Sequence, residues 1–180
     1  MSPAAEPLPR SGAGIVLRRL SIADLAAFQA YRSDAELGRY QGWSPMPDAQ
    51  ALAFLAEMGE AALFRPGGWA QIGIAQPHQP DLIGDIGLYL AEDARHAEIG
   101  FTLARPAHGR GLATAAVREA LGLVFQCTSV ERVLGITDAR NQASIALLER
   151  VGMRRQETRD AIFRGEPCLE VVYALSRDGG

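Results

Sequence analysis

The chain has 180 residues, of which 48 % are hydrophobic and 22 % charged, and its formal net charge is −3. This composition is typical of one globular domain with a sizeable core. It gives no support for a nucleic-acid-binding or membrane-surface protein, because both need a basic face. The two cysteines are too few for a disulfide framework and favour a reducing, cytoplasmic location. The three histidines lack metal-ligand spacing, so we expect no metal cofactor.

The first segment, Met1–Gly14, is rich in proline, alanine, glycine and serine and is predicted to be a disordered tail. A single domain is expected over Ile15–Ser176. The elements predicted in its first half are a strand at Ile15–Arg19, a helix from the capping box Ser21-Ile-Ala-Asp24 to about Ala35, a helix with Asp48 as its N-cap, and strands at Trp69–Ala75, Ile83–Leu90 and Ala97–Ala104.

The second half begins with a helix whose apolar residues recur at helical spacing. The elements predicted there are that helix at about Gly109–Gln126, a strand at Arg132–Thr137, a helix from an Asn141 cap to Gly152, and strands at about Arg154–Arg159 and Leu169–Ser176. The order of strands and helices predicts an α/β (α+β) fold, with helices flanking a mixed, mostly antiparallel sheet.

A glycine-rich turn joins the last strand of the first half to the helix that follows it. The segment Pro106–Ala116 reads PAHGRGLATAA, with Gly109 and Gly111 directly before the helical pattern. Backbone N–H groups at a helix N-terminus lack intrahelical partners and attract phosphate, and glycines allow the phosphate to approach closely. The residues after Gly111 match neither a P-loop, which needs Gly-Lys-Ser/Thr, nor a Rossmann fingerprint. The turn therefore predicts a pyrophosphate site without a P-loop lysine.

Three motifs occur in a fixed order: AEIGF at Ala97–Phe101, HGRGLA at His108–Ala113, and a helix that opens with NQAS at Asn141–Ser144 and ends in ERVGM at Glu149–Met153. With the order of elements, they resemble the GNAT superfamily of acetyl-CoA-dependent N-acetyltransferases. Within that superfamily the chain looks most like the RimJ/RimL type, which modifies ribosomal-protein N-termini. The resemblance covers roughly Ile15–Ser176.

The resemblance implies a fold in which a central pair of strands splays apart and leaves a cleft for acetyl-CoA. It also implies that the pantetheine arm pairs with backbone groups of the strand before the turn, like an added strand. The cofactor-binding residues that it predicts are Phe101, Thr102, Leu103, His108, Gly109, Arg110, Gly111, Leu112, Ala113, Thr114, Asn141 and Ser144.

The catalytic groups follow less directly. Many GNAT members place a tyrosine proton donor on the second-half helix where this chain has Leu148, so Ser144 is the candidate donor to the departing thiolate. Its alternative role is a local hydrogen bond in the first helical turn. Glu98 is the first candidate for the base that takes the proton of the amine, with a solvent-facing strand glutamate as the alternative. Asp85 and Asp138 are weaker candidates.

The acceptor is predicted to lie near Tyr40, Trp43 and Phe64, in or near the loops that the family uses for this purpose. The alternative role of these aromatic residues is to cover a small core. The expected activity is direct transfer of an acetyl group from acetyl-CoA to a primary amine, in first place a protein N-terminus. A small-molecule amine such as an amino acid, polyamine or aminoglycoside is the alternative acceptor. A non-catalytic acyl-CoA-binding protein is the alternative from another class. Family habit also makes a homodimer plausible.

Overall fold

A computed structural model of the protein describes residues 5–179. These residues form one eight-stranded sheet with helices on both faces. Its elements are β1 (Arg10–Gly12), β2 (Ile15–Arg18), α1 (Leu25–Arg32), α2 (Ala35–Gly38), α3 (Asp48–Glu60), β3 (Gly68–Gln76), β4 (Gln79–Leu90), β5 (His96–Leu103), α4 (Leu112–Cys127), β6 (Arg132–Asp138), α5 (Gln142–Arg150), β7 (Arg154–Phe163) and β8 (Glu166–Ser176). None of the helices within residues 5–179 combines the length and the apolar character that a membrane crossing requires.

The strands are ordered β1-β2-β3-β4-β5-β6-β8-β7, and every neighbouring pair is antiparallel except β5 and β6. These two parallel strands pair only through His96, Ala97 and Glu98 of β5. Beyond Glu98 they separate, while β5 stays paired with β4 and β6 stays paired with β8 as far as Asp138. The predicted mixed sheet with a splayed central strand pair is therefore confirmed.

The helices lie on opposite faces and enclose two apolar clusters. On one face α4 and α5 cover the larger cluster, to which Val117, Val124 and Leu148 contribute buried side chains. On the other face α1 and α3 cover a smaller cluster around Phe28 and Leu55. Burial of these apolar stripes holds the helices on the sheet. The gap between β5 and β6 thus lies between the layer of α4 and α5 and the layer of α1 and α3.

The prediction of a disordered tail over Met1–Gly14 is wrong for its second half. Arg10–Gly12 forms β1 on β2, and Leu8 is buried. Arg10 Nε donates to Glu119 Oε2 at 2.8 Å on α4, so contacts distant in sequence order a segment that has no periodicity of its own. The first four residues, Met1–Ala4, which the same prediction includes, lie outside the described residues.

The last hairpin is longer than predicted. The strands are predicted to end at about Arg159 and to resume at Leu169, whereas the turn consists only of Arg164 and Gly165, both with positive φ. Two consecutive residues with positive φ make a tight hairpin turn whose twist matches that of the strands. Pairing therefore continues to Phe163 and Glu166. The capping box at Ser21 and the Asn141 cap are confirmed, whereas the residue that precedes α3 as its cap is Pro47 and not Asp48.

Candidate active site

The glycine-rich turn leads directly into α4. Gly109 and Gly111 have φ angles of +77° and +72°, and Gly111 occupies the N-cap position. The N–H groups of Leu112, Ala113 and Thr114 occupy the first turn of α4, where a helix offers no acceptor. A Cβ placed on either glycine would meet no atom within 4 Å, so the space above the turn is open. The turn accordingly presents unpaired N–H groups to a cavity, which is the arrangement that binds phosphate.

That cavity has a volume of about 1020 Å³ and lies on the α4 and α5 side of the β5–β6 gap. Eleven of the twelve predicted cofactor residues line it: Phe101, Thr102, Leu103, His108, Gly109, Gly111, Leu112, Ala113, Thr114, Asn141 and Ser144. The exception is Arg110, whose guanidinium points to Gln76 and donates to its Oε1 at 3.2 Å. Three cations that the sequence analysis missed, Arg39, Arg118 and Arg150, also line the cavity. We call this space the cofactor cavity.

Along β5, the backbone N–H and C=O groups of successive residues point alternately to β4 and to the gap. Ala104 N donates to Ile83 O, so this residue and Thr102, two positions earlier, direct their backbone groups to β4. The prediction that the Thr102 backbone faces the cofactor is therefore at odds with this ladder. The carbonyls of Phe101 and Leu103 face the other way. Gln41 Nε2 donates to the first at 3.3 Å, and His108 Nε2 donates to the second at 2.7 Å.

The N-terminus of α5 lies on the far side of the gap. Asn141 Oδ1 accepts from the N–H of Ser144 at 3.2 Å and so caps the helix. Both residues line the cofactor cavity. Leu148, one turn further along, is buried against Gly135 of β6, where the space beside the glycine backbone is filled by the leucine methyl groups. Leu148 therefore packs in the core and has no proton to donate. Ser144 is then the residue of α5 that has a hydroxyl group at the gap.

A second cavity, of about 710 Å³, lies on the opposite face of the sheet under α1 and α3. We call it the acceptor cavity. Its wall is strongly aromatic, and two of the three predicted aromatic residues, Tyr40 and Trp43, belong to it. The third, Phe64, packs against the main core instead. The aromatic residues that line the cavity are Tyr40, Trp43, Phe54, Trp69, Phe101 and Phe163.

Of the three candidate base carboxylates, Asp85 and Asp138 are engaged in close ion pairs. Asp85 is fully buried and binds Arg32 at 2.8 Å, and it also accepts from Tyr31 and Gln71. Burial, followed by the Asp85 charge, raises the pKa of Tyr31 well above its ordinary value, so Tyr31 stays a donor.

Asp138, the second carboxylate, binds Arg140 at 2.8 Å, and the hydrogen bond from this guanidinium lowers the pKa of Asp138. Glu98, the third, lines the acceptor cavity with its side chain 29 % exposed. Its nearest cationic partner among residues 5–179 is His96, at 4.0 Å. Glu98 is therefore the carboxylate of the three that is best placed to take up a proton.

The two cavities meet at the gap between β5 and β6. A small space of about 40 Å³ lies there, and Ser144 and Leu148 line it from α5. Tyr40 and Gln41 line this space and both large cavities. A ligand in the cofactor cavity can thus present a reactive group through the gap to a second ligand on the other face. In the part of the chain described, no cluster of three or more His, Cys, Asp or Glu residues could hold a metal ion.

Comparison with protein families shows that residues 15–154 match the family described as an acetyltransferase (GNAT) domain. The uncharacterized N-acetyltransferase YoaA of Bacillus subtilis is 30 % identical to the chain over 166 residues. That match covers 89 % of this chain and 92 % of YoaA.

Solved structures show the same fold. A GNAT-family acetyltransferase from Bacillus anthracis superposes with a TM-score of 0.83 at 19 % identity, covering 93 % of this chain and 98 % of that one. RimL, a ribosomal L7/L12 alpha-N-protein acetyltransferase in complex with coenzyme A, superposes with a TM-score of 0.80 at 16 % identity. That match covers 96 % of this chain and 99 % of RimL.

Proposed function

The chain belongs to the GNAT family of acetyl-CoA-dependent N-acetyltransferases, and we propose that it acetylates the N-terminal amine of a protein by direct transfer. The observation that carries this proposal is the meeting of the two cavities at the β5–β6 gap. The cofactor cavity contains the glycine-rich turn before α4. The acceptor cavity contains Glu98, a carboxylate without a close ion pair. Such an arrangement suits two substrates that react with each other and need no covalent enzyme intermediate.

Acetyl-CoA fits the cofactor cavity by the chemistry of its lining. The pyrophosphate is assigned to the N–H groups of the turn and of the first turn of α4, from Gly109 to Thr114. Arg118 and Arg150 add positive charge to the same cavity, whereas the Arg110 side chain points elsewhere. The pantetheine arm is assigned to the β5 edge at Phe101 and Leu103, in place of the Gln41 and His108 side chains that bond these carbonyls.

The reaction requires a neutral amine and a stabilised leaving group. The amine nitrogen attacks the thioester carbonyl carbon, so that a C–N bond forms and the C–S bond breaks. Glu98 takes the proton of the amine, directly or through water, and the coenzyme A thiolate takes up a proton to become the free thiol. The Ser144 hydroxyl lies on the cofactor side of the gap, where it can donate a hydrogen bond to the thiolate.

Two arguments support a protein N-terminus as the acceptor. RimL shares the fold, and its substrate is the amino terminus of a ribosomal protein. In addition, an α-amino group has a pKa of about 7.7–8.0, against about 10.4 for a lysine-type amine, so a much larger fraction is already neutral near pH 7. A site with one weakly paired carboxylate is well matched to that amine. A small-molecule amine in the same cavity is the second candidate.

The test is release of free thiol from acetyl-CoA in the presence of N-terminal peptides, amino acids, polyamines and aminoglycosides. We expect release that depends on the peptides. Glu98→Gln should lower kcat/KM by about 10²–10⁴-fold. The matched control is Glu131→Gln, which changes a surface carboxylate paired with Arg95 and should leave the rate unchanged. Release with small amines alone would overturn the proposed acceptor. Acetyl-CoA binding without release for any amine would indicate a non-catalytic binding protein.

A further inference from the structure

The floor of the acceptor cavity is made of backbone. Gly87 of β4 and Gly100 of β5 are directly paired across the sheet, and both line the cavity. A Cβ added at Gly100 would meet no atom within 4 Å, so the space above it is empty. A Cβ added at Gly87 would come within 3.0 Å of the Gln71 side-chain amide and within 3.3 Å of the Trp69 ring, which shows that both side chains border this surface. The open space above Gly100 can therefore receive a side chain of the ligand.

Aromatic rings border this floor, and they are held in place. Trp69 packs on Tyr89 with 5.3 Å between ring centroids, yet 52 % of Trp69 is exposed. On the opposite side the Trp43 ring lies 4.6 Å from the Arg32 guanidinium, and Trp43 Nε1 donates to Thr102 Oγ1 at 3.2 Å. Phe54 stacks on buried Phe28 and completes the border. Fixed rings around a bare floor offer apolar contact at little cost in side-chain entropy.

The cationic side chains of this cavity are already neutralised. Arg32 is paired with Asp85, and Arg159 is paired with Glu170 at 3.2 Å. Glu98 stands in the same row of the sheet as Trp69 and Tyr89, so its carboxylate adjoins the aromatic floor. Three carboxylates line the cavity, and two of them, Asp138 and Glu170, are paired with arginines. The surface is therefore largely aromatic, and Glu98 is the carboxylate of the three without a close arginine partner among residues 5–179. This surface complements an amine that is attached to a bulky apolar group.

We propose that Gly87, Gly100 and Trp69 select acceptors in which a large apolar or aromatic group adjoins the amine. For a protein N-terminus, this means a first residue such as Phe, Leu or Met in preference to Ser, Ala or Gly. The inference rests on the proposed acetyl transfer and names the substrate class of the same site. Glu98 serves the amine, while the glycine floor and the Trp69 ring receive the neighbouring side chain.

The test compares thiol release from acetyl-CoA with peptides that differ only in the first residue, at peptide concentrations well below KM. Phenethylamine and ethanolamine are run in parallel as a small-molecule pair with the same contrast. Burial of one large apolar side chain predicts that kcat/KM for Phe, Leu or Met peptides exceeds that for Ser peptides about 10–100-fold. Phenethylamine should exceed ethanolamine in the same direction.

Two variants locate the preference on this surface. Gly100→Ala has room for its methyl group and an ordinary φ, so the protein should fold, and the preference for Phe over Ser should fall several-fold. Trp69→Ala should lower it as well. The matched control is Ile22→Ala, since Ile22 is 58 % exposed and does not line the cavity. It should keep the full preference, and all three variants should keep the wild-type Kd for acetyl-CoA.

The outcomes separate this inference from the proposed function. Peptide acetylation without a preference, or with a preference for Ser and Ala, would overturn the inference and leave the proposed function standing. Acetylation of phenethylamine over ethanolamine with no peptide acetylated would support the inference and overturn the protein N-terminus as acceptor. An unchanged preference in both Gly100→Ala and Trp69→Ala would also overturn the inference.

Discussion

Removal of one partner from the ion pair between Arg32 and Asp85 is expected to destabilise the protein more than the loss of any surface pair. Its side chains are only 4 % and 1 % exposed, with 2.8 Å between Arg32 Nη2 and Asp85 Oδ1. Asp85→Asn keeps the shape of the side chain but removes its charge. The Arg32 cation then stays buried between the rings of Phe28 and Trp43 without a counter-ion. Such a loss costs about 3–5 kcal/mol.

That cost can be measured by equilibrium unfolding in urea. With an m-value of about 2 kcal/mol/M, the midpoint for Asp85→Asn should fall by about 1.5–2.5 M. The matched control is Glu131→Gln, because the pair of Glu131 with Arg95 is 66 % and 69 % exposed and 3.3 Å long. An exposed pair contributes at most about 1 kcal/mol, so this midpoint should fall by less than about 0.5 M.

The double variant Arg32→Met/Asp85→Leu removes both charges and keeps apolar volume. It should regain much of the stability that Asp85→Asn loses, since an apolar replacement of a buried pair is often neutral. A midpoint for Asp85→Asn no lower than that for Glu131→Gln would refute the reasoning, because it would mean that Arg32 is not desolvated in the folded protein.

Three further predictions concern the glycine-rich turn, the leaving group and the half-buried carboxylate of Asp34. Gly111→Ala and the control Gly152→Ala both place a methyl group at positive φ, so each should lower the free energy of unfolding by about 1–3 kcal/mol. Only Gly111→Ala should also raise KM for acetyl-CoA, by about 10-fold or more. Ser144→Ala should lower kcat at saturating substrates about 10-fold or more, with little change in either KM. The hydrogen bond from Arg105 lowers the pKa of Asp34 from 3.8 to about 2, so its stabilising effect is complete above about pH 4 and is lost as the pH falls through about 2. The difference in Tm between wild type and Asp34→Asn should shrink over that range.

Much of the fold follows from local sequence. The apolar spacing of α4, the Asn141 cap and the apolar runs of β3 to β5 are local signals, and the structure contains the predicted elements. The strand β1 was missed because its order depends on α4, more than one hundred residues later in the chain. The extended β7–β8 hairpin was missed because a turn with positive φ at Arg164 has no local signal that separates it from a looser turn.

The candidate site also has parts that local sequence predicts and parts that depend on contacts between distant segments. The glycine turn could be located because one short segment holds both the glycines and the helix that they precede. Of the acceptor cavity, only Tyr40 and Trp43 could be located, because its floor joins β3, β4 and β5 and its border includes Phe54 of α3. Glycines such as Gly87 and Gly100 gain a meaning only when the register places them side by side. Sequence alone likewise could not show that Asp85 forms a buried ion pair with Arg32.

The segment from Tyr40 to Trp43 lies between the cofactor cavity and the acceptor cavity. Gln41 donates to the Phe101 carbonyl that faces the cofactor cavity, and Trp43 borders the acceptor floor. Arg164 Nη2 binds the carbonyls of both residues, at 3.1 Å and 2.8 Å, so they are held as one unit. A cofactor arm that pairs with Phe101 must compete with Gln41, and any shift of Gln41 acts on the wall that Trp43 provides. Changes in this segment should therefore alter KM for both substrates, whereas changes at Gly111 act on acetyl-CoA and changes at Gly100 act on the acceptor.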